Sequence, residues 1–472
     1  MPDPARLSIP FDNSYARLPA RLFTRLPPEP VPAPELLAFN APLAAELGIT
    51  GAGDAAELAA VFSGNRLPEG AEPLAQLYAG HQFGQWNPQL GDGRAILLGE
   101  ARGRDIQLKG SGRTPYSRGG DGRAWLGPVL REYLVSEAMH ALGVPTTRAL
   151  AAVATGAAVM RETALPGAVL TRVAASHIRV GTFQVLAARR DREGLGALLE
   201  HACARHYPGT AAPLDFLRAV IARQVRLVTR WMGIGFIHGV MNTDNCAVSG
   251  ETIDYGPCAF MDRYEPLTVF SSIDHAGRYA YGAQPDVVVW NMAQLATALL
   301  ALEADPEGAL PAYTEAVHAM PGLLGAAWTA TLLRKIGISD PAPGDRDLAE
   351  RLLSTMRRQG SDFTNLFAAL AGGGGREEFT DGAEFDDWRR DWQARLATQP
   401  DPGAVMQAAN PVVIPRNHRV EQMIEAAIGG DMAPFRRLLA ACTDPFERRA
   451  DSADLRRPPR EDERVLATYC GT

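Results

Sequence analysis

Apolar and polar positions change their period along this chain. Residues 1–75 are rich in Pro and Ala and read as an extended arm with short helices. From 76 to 125, short apolar runs, Ala95–Leu98 and Ile106–Leu108, alternate with glycine-dense turns, the patterning of strands. The stretch "GPVLREYLVSEAMHALG" then carries apolar residues at helical spacing. Pro128 suits a first helical turn, and Gly143 with Pro145 supplies a stop. Residues 150–185 predict further strands. From about 186 the pattern turns helical, as in "LDFLRAVIARQVRLVTRWMGIGF". Residues 286–400 read as helices interrupted by "AGGGG" at Ala371–Gly375, a mobile loop by composition. The last stretch, 401–472, predicts one helix near Val420–Ile428 and an Arg-rich polar tail. No internal repeat is visible. Strands with one helix, followed by a helical half with a short hairpin inside it, predict an α+β chain built like a two-lobed protein kinase. The expected units are an arm (1–75), a strand-rich N-lobe (76–185), a helical C-lobe (186–400) and a C-terminal extension (401–472).

Composition narrows the function classes. Hydrophobic residues make up 46% and charged residues 21%, ordinary for a soluble chain. The net charge of -7 leaves no basic excess to meet a phosphate backbone, which argues against nucleic acid as a partner. No apolar run approaches the roughly 18 residues of a membrane helix. The N-terminal stretch lacks the basic-then-apolar build of a signal peptide. The five cysteines form no CxxC or His-paired metal spacing. Together these predict a chain of the reducing cytoplasm, away from membranes. Only two of the 47 basic residues are lysines, Lys109 and Lys335. A compact ammonium does what Arg's planar fork cannot. Lys335, in "LLRKIGISD", reads as a solvated helix charge.

Lys109 sits in different company. In "DIQLKG", strand alternation points Ile106 and Leu108 to the core and turns Gln107 and Lys109 outward together. Gly110 and Gly112 follow, and a cation among open backbone N–H groups suits a phosphate. The next helix offers Glu132 and Glu137 as ion-pair partners, and the spacing does not choose between them. Further on, "HGVMNTDN" has the His-to-Asn spacing of the kinase catalytic loop, H-R-D-x-x-x-x-N. Val240 stands where the kinase Asp would be, and an acid appears instead at Asp244. Ser249-Gly250 is a turn signal. A two-residue hairpin closed there would oppose Asn245 to Asp254, with Cβ atoms about 5 Å apart. An amide oxygen and a carboxylate so placed suit Mg²⁺, which takes few protein ligands. "DYG", Asp254 to Gly256, matches the kinase metal aspartate with Tyr for Phe.

Long stretches of the chain resemble the selenoprotein O family, the YdiU-type protein nucleotidyltransferases. They are "YAGHQFGQWNPQLGDGRA", "QLKGSGRTPYSRGGDGRA", "LREYLVSEAMHALGVPTTRAL", "HGVMNTDN", "DYGPCAFMD", "NPVVIPRNHRVE" and the terminal "TYCGT", spread from about residue 11 to the end. The resemblance implies a kinase-like enzyme that moves AMP, or in some members UMP, from ATP or UTP to Ser, Thr or Tyr hydroxyls of proteins. The nucleotide would lie in a flipped orientation, with Mg²⁺ or Mn²⁺ as the metal. It makes Lys109 a phosphate contact with Glu132 as its partner. It implies ATP contacts from Gly91, Gly93, Arg94, Asp121, Gly122, Arg172, Arg179 and Asp254. Asp244 becomes the proton acceptor, and Asn245 and Asp254 the metal ligands. Some members carry selenocysteine at the position of Cys470, which implies a redox role. Some bacterial members bridge the tail to a cysteine after the DYG segment. Ser271 and Ser272 stand in that region here, which argues against such a bridge and leaves Cys258 as the nearest other cysteine. The alternatives are a kinase moving the γ-phosphate and an inert ATP-binding scaffold.

Overall fold

Fully buried Ile96, Leu98, Ile106 and Leu108 place two adjacent strands at the centre of one large sheet, seen in a computed structural model that describes residues 7–469. The strands are β1 (Phe23–Arg25), β2 (Glu35–Phe39), β3 (Leu74–Gln76), β4 (Gly80–Gln82), β5 (Gln85–Asn87), β6 (Ala95–Ala101), β7 (Arg104–Lys109), β8 (Ala124–Trp125), β9 (Arg148–Met160), β10 (Ala164–Ala174), β11 (Phe236–Ile237) and β12 (Ala259–Phe260). The main sheet runs β1-β3-β6-β7-β10-β9-β2, with β8 also paired to β10; β4 and β5 form a separate hairpin, as do β11 and β12 a separate ladder.

The helices of the first 300 residues are α1 (Ala41–Glu46), α2 (Ala55–Phe62), α3 (Leu126–Ala141), α4 (Val180–Ala188), α5 (Arg192–His206), α6 (Pro213–Gly233) and α7 (Gln284–Leu300). After them come α8 (Pro306–His318), α9 (Met320–Lys335), α10 (Asp345–Gln359), α11 (Phe363–Leu370), α12 (Gly382–Leu396), α13 (Pro402–Ala409), α14 (Asn417–Ile428) and α15 (Ala433–Cys442). The arrangement is mixed α and β, with the strands concentrated in the first 175 residues. One sheet face buries Ile106, Leu108 and Val173 against Leu43, Leu58 and Phe62 of α1 and α2. The other packs on α3, whose far side meets Ile424 and Phe435 of α14 and α15. The largest apolar cluster runs through α4 to α7 and on into α9 to α12.

Several expectations from the pattern need correction. The stretch 1–75, expected as extended chain with short helices, also contributes β1, β2 and the start of β3 to the main sheet. These strands are short and flanked by Pro, so no alternation announces them. The strands expected up to 185 stop at Ala174, and Val180–Ala188 is helical. Among the described residues the C-terminal stretch holds three α-helices rather than one. Counter to the expectation of no such run, Pro306–Lys335 has the length and composition of a membrane span. It consists of two helical segments, α8 and α9, parted at Ala319, and both touch α6. Lys335 is not a solvated charge. It is 2% exposed, with Nζ 2.9 Å from Asn410 Oδ1 and over the rings of Phe367 and Phe363. Its helix face is covered by α11 and by the chain after α13, which a local charge pattern cannot show.

Candidate active site

The centre of the site is set by register across β7 and β10. Gln107 and Arg172 are directly opposed, and Arg172 Nη2 donates to Gln107 Oε1 at 2.6 Å. Two residues along, Lys109 lies on the same face at the strand end. Its Nζ is 2.6 Å from Glu132 Oε2 and 2.9 Å from Asp254 Oδ1. Glu137, the other acid on α3, is taken instead by Arg148 and Asn40. Arg172 Nη1 adds 2.5 Å to Asp254 Oδ1 and 3.3 Å to Glu132 Oε1. Arg179 precedes α4, with Nη2 at 3.5 Å from Asp254 Oδ2 and its guanidinium over the Tyr78 ring. Burial pushes the Asp254 carboxyl up, but Arg172, Lys109 and Arg179 outweigh it and hold the group well below the usual carboxylate range. Removing one member of such a buried network costs about 3–5 kcal/mol, because the partners are left uncompensated.

These groups face a cavity of about 510 Å³. Gly91, Gly93, Arg94, Lys109, Asp121, Gly122, Arg172, Arg179, Asp244 and Asp254 all line it. Glu132 lies behind Lys109 in a smaller adjoining recess. Two glycines are required by close approach. Gly91 has φ +145°, and a Cβ there would meet Tyr116 Cγ at 2.5 Å. Gly122 has φ +66°, and a Cβ would fall 2.1 Å from the Gly112 carbonyl oxygen. Asp121 accepts from the Arg123 N–H at 2.9 Å and pairs with Arg161 at 2.8 Å.

The loop after β11 carries the remaining acids. Asp244 sits in a 3-10 turn, Thr243–Asn245, and is 6% exposed. Burial pushes its carboxyl up to about 6, against the Gln82 hydrogen bond and the Arg179 charge. Val240, at the kinase aspartate position, is buried, and its carbonyl accepts from Asn245 Nδ2 at 3.0 Å. Asp254 has φ +63°, a strained backbone for a residue with a side chain, while His238 Nε2 lies 2.9 Å from the Ile253 carbonyl oxygen.

The hairpin expected at Ser249-Gly250 does not form. The turn is present, with the Gly250 N–H donating to the Ala247 carbonyl, but its flanks diverge. Cys246 and Val248 bond to Val180 and Ile178, whereas Thr252 pairs with Thr146. Each flank finds a better ladder in a distant segment, so no strand pairing opposes Asn245 to Asp254. Asn245 does not line the cavity, and Cys470 lies outside the described residues.

No group of three or more His, Cys, Asp or Glu side chains among the described residues could hold a metal by itself. Of the two expected metal ligands only Asp254 lines the cavity, and a single carboxylate there suits a hard cation that keeps substrate and water ligands. Asp254 supplies a carboxylate. Asn245 has its amide nitrogen committed to Val240, which leaves its oxygen as the donor atom.

Sequence reasoning missed Asp92 and Gln82. Both line the cavity. Asp92 accepts from Gln107 Nε2 at 3.0 Å, and Gln82 Nε2 donates to Asp244 Oδ2 at 3.1 Å. Gln82 lies 162 positions from its partner, so only tertiary structure brings the two together.

Comparison with known proteins shows the family of this chain. Residues 5–443 match the family described as "Protein adenylyltransferase SelO". The chain is 65% identical over 471 residues to "Protein nucleotidyltransferase YdiU" of Roseobacter denitrificans, covering 99% of this chain and 100% of that one. Its identity to the proteins of the same name from Ruegeria sp. and Ruegeria pomeroyi is 64% and 61%, with the same coverage.

Proposed function

This chain belongs to the SelO family of protein adenylyltransferases and is a nucleotidyltransferase acting on proteins, and from that premise we propose how the cavity performs the transfer. ATP is the donor, with UTP as the other candidate, and a Ser, Thr or Tyr hydroxyl is the acceptor. The strand-rich and helical halves act as the two lobes of a kinase-like enzyme of the cytoplasm, with the nucleotide between them. The arm and the C-terminal extension brace the first lobe.

Lys109, Arg172 and Arg179 neutralise the triphosphate. Arg offers a fork of donors to phosphate oxygens and Lys a point charge. Gly91, Gly93 and Gly122 let backbone approach the nucleotide, and Arg94 and Asp121 contact it. Glu132 holds Lys109 in place. Asp254 would hold Mg²⁺ or Mn²⁺ from the cavity wall, and Asn245, which lies outside that lining, is the second ligand that the family resemblance implies. When bound, that ion neutralises charge on the phosphates. Asp244 accepts the proton of the acceptor hydroxyl as its oxygen attacks the α-phosphorus. The new O–P bond forms there, the bond to the bridging oxygen breaks, and its electron pair leaves with pyrophosphate.

The observation that carries this reading is the convergence of Lys109, Arg172 and Arg179 on one cavity that also exposes Asp244. Incubation with ATP labelled at either the α- or the γ-phosphate tests it. Label should enter protein from the α position only. Entry from the γ position alone would make the chain a kinase, and ATP binding with no pyrophosphate release would make it a scaffold.

A further inference from the structure

The β4–β5 hairpin grips the loop that carries Asp244 residue by residue. The His81 N–H donates to Thr243 Oγ1 at 2.7 Å, Gln82 Nε2 to Asp244 Oδ2 at 3.1 Å, and the Phe83 N–H to Asn242 Oδ1 at 3.0 Å. Three successive hairpin residues thus hold three successive loop residues. The hairpin is in turn braced, with Gln184 Nε2 2.9 Å from His81 Nδ1 and the Phe83 ring edge-on to Tyr279. The two carboxylate oxygens of Asp244 are treated differently. Oδ2 is held by Gln82. Oδ1 is buried without a hydrogen-bond partner. Beside it is Gly80, where a Cβ would stand 2.5 Å from Oδ1 and 3.0 Å from the Asp244 Cβ. A buried acceptor left unmade is costly, and this oxygen, packed against Gly80 on a residue that lines the cavity, still has lone pairs free to accept.

We propose that Gln82 is the positioning residue of the transfer, holding one oxygen of Asp244 so that the other, which has no hydrogen-bond partner of its own, receives the acceptor hydroxyl. The inference rests on the reading of Asp244 as proton acceptor. An amide donor suits the task, because it fixes the carboxylate without bringing a proton that could pass to it. Lys or Arg at this position would draw Asp244 into an ion pair.

The test is a double-mutant cycle on nucleotidyl transfer, with ATP labelled at the α-phosphate and casein as added acceptor, self-labelling being read in parallel. Gln82→Ala should lower kcat by about 10- to 100-fold, the loss of a hydrogen bond to a charged group. KM for ATP should stay within about twofold, since the triphosphate contacts are elsewhere. In an Asp244→Asn background, Gln82→Ala should have no further effect, which a general loosening of the fold would not reproduce. Gly80→Ala must displace the Asp244 side chain, and should lower kcat as Gln82→Ala does with ATP binding retained. If Gln82→Ala cuts the rate equally in both backgrounds, or leaves kcat unchanged, the positioning role is wrong while Asp244 can stand. If Asp244→Asn itself transfers at the wild-type rate, the reading of Asp244 fails, and the inference with it.

Discussion

Lys109 and Lys335, the chain's two lysines, are both mostly buried, yet their surroundings differ in kind. Lys109 meets two carboxylates, Glu132 and Asp254, and opens on a cavity. Lys335 has no carboxylate. It rests 4.3 Å from the ring centroid of Phe367 and 5.0 Å from that of Phe363, with Asn410 Oδ1 as its acceptor. Burial pushes its ammonium down to about 7. The first lysine is part of a charge network that a ligand's phosphates can enter. The second is a packing element whose charge is opposed by its site and favoured only by ring faces and one amide. Scarcity of lysine therefore does not by itself mark a site of chemistry; the surroundings tell chemistry from packing.

The contrast breaks most sharply at Asp254. Asp254→Ala should abolish transfer, because it removes the proposed cation ligand and leaves Lys109, Arg172 and Arg179 without their common partner; the α-labelled ATP assay reads this directly. Asp244→Ala should lower the rate by roughly 10²–10⁴, the contribution of a general base, with nucleotide binding intact by calorimetry. Near-normal transfer by that variant would remove Asp244 from the proton-acceptor role.

Lys109→Arg and Lys335→Met sharpen the comparison from its two sides. Lys109→Arg keeps the charge but sets a planar fork between Glu132 and Asp254, and should lower kcat/KM by at least about tenfold, the effect of losing one well-placed charged hydrogen bond. Lys335→Met should leave transfer unchanged. Its signature is in stability against pH. Lys335 is depressed to about 7 in the folded chain, below the ordinary lysine value of about 10.4. Between these values the unfolded chain binds a proton that the folded chain does not. Stability therefore rises with pH across that window in the wild type, by at most about 1.4 kcal/mol per unit from this group, relative to Lys335→Met. Urea unfolding of both proteins at pH 7 and pH 9 measures the difference. Parallel curves would mean that Lys335 is charged throughout.

The same contrast shows what a sequence discloses. Strand alternation in "DIQLKG" placed Gln107 and Lys109 on one face, because period 2 is local. The choice between Glu132 and Glu137 was not legible from spacing, since it depends on which of them Arg148 takes. The turn at Ser249-Gly250 could be read, but the ladders of its flanks could not, because their partners lie at 146 and 178–180. Lys335 was misread for the same reason. Its cover comes from Phe363, Phe367 and Asn410, all far along the chain. Strands β1 and β2 were missed because three- and five-residue edge strands carry too little pattern.

Intact-mass analysis of an acceptor protein incubated with ATP, a divalent cation and either wild type or Asp254→Ala tests the central claim most directly. The account predicts that the wild type adds the mass of one or more AMP groups and releases pyrophosphate, and that Asp254→Ala adds nothing. Addition of phosphate, or AMP transfer undiminished by Asp254→Ala, would contradict it.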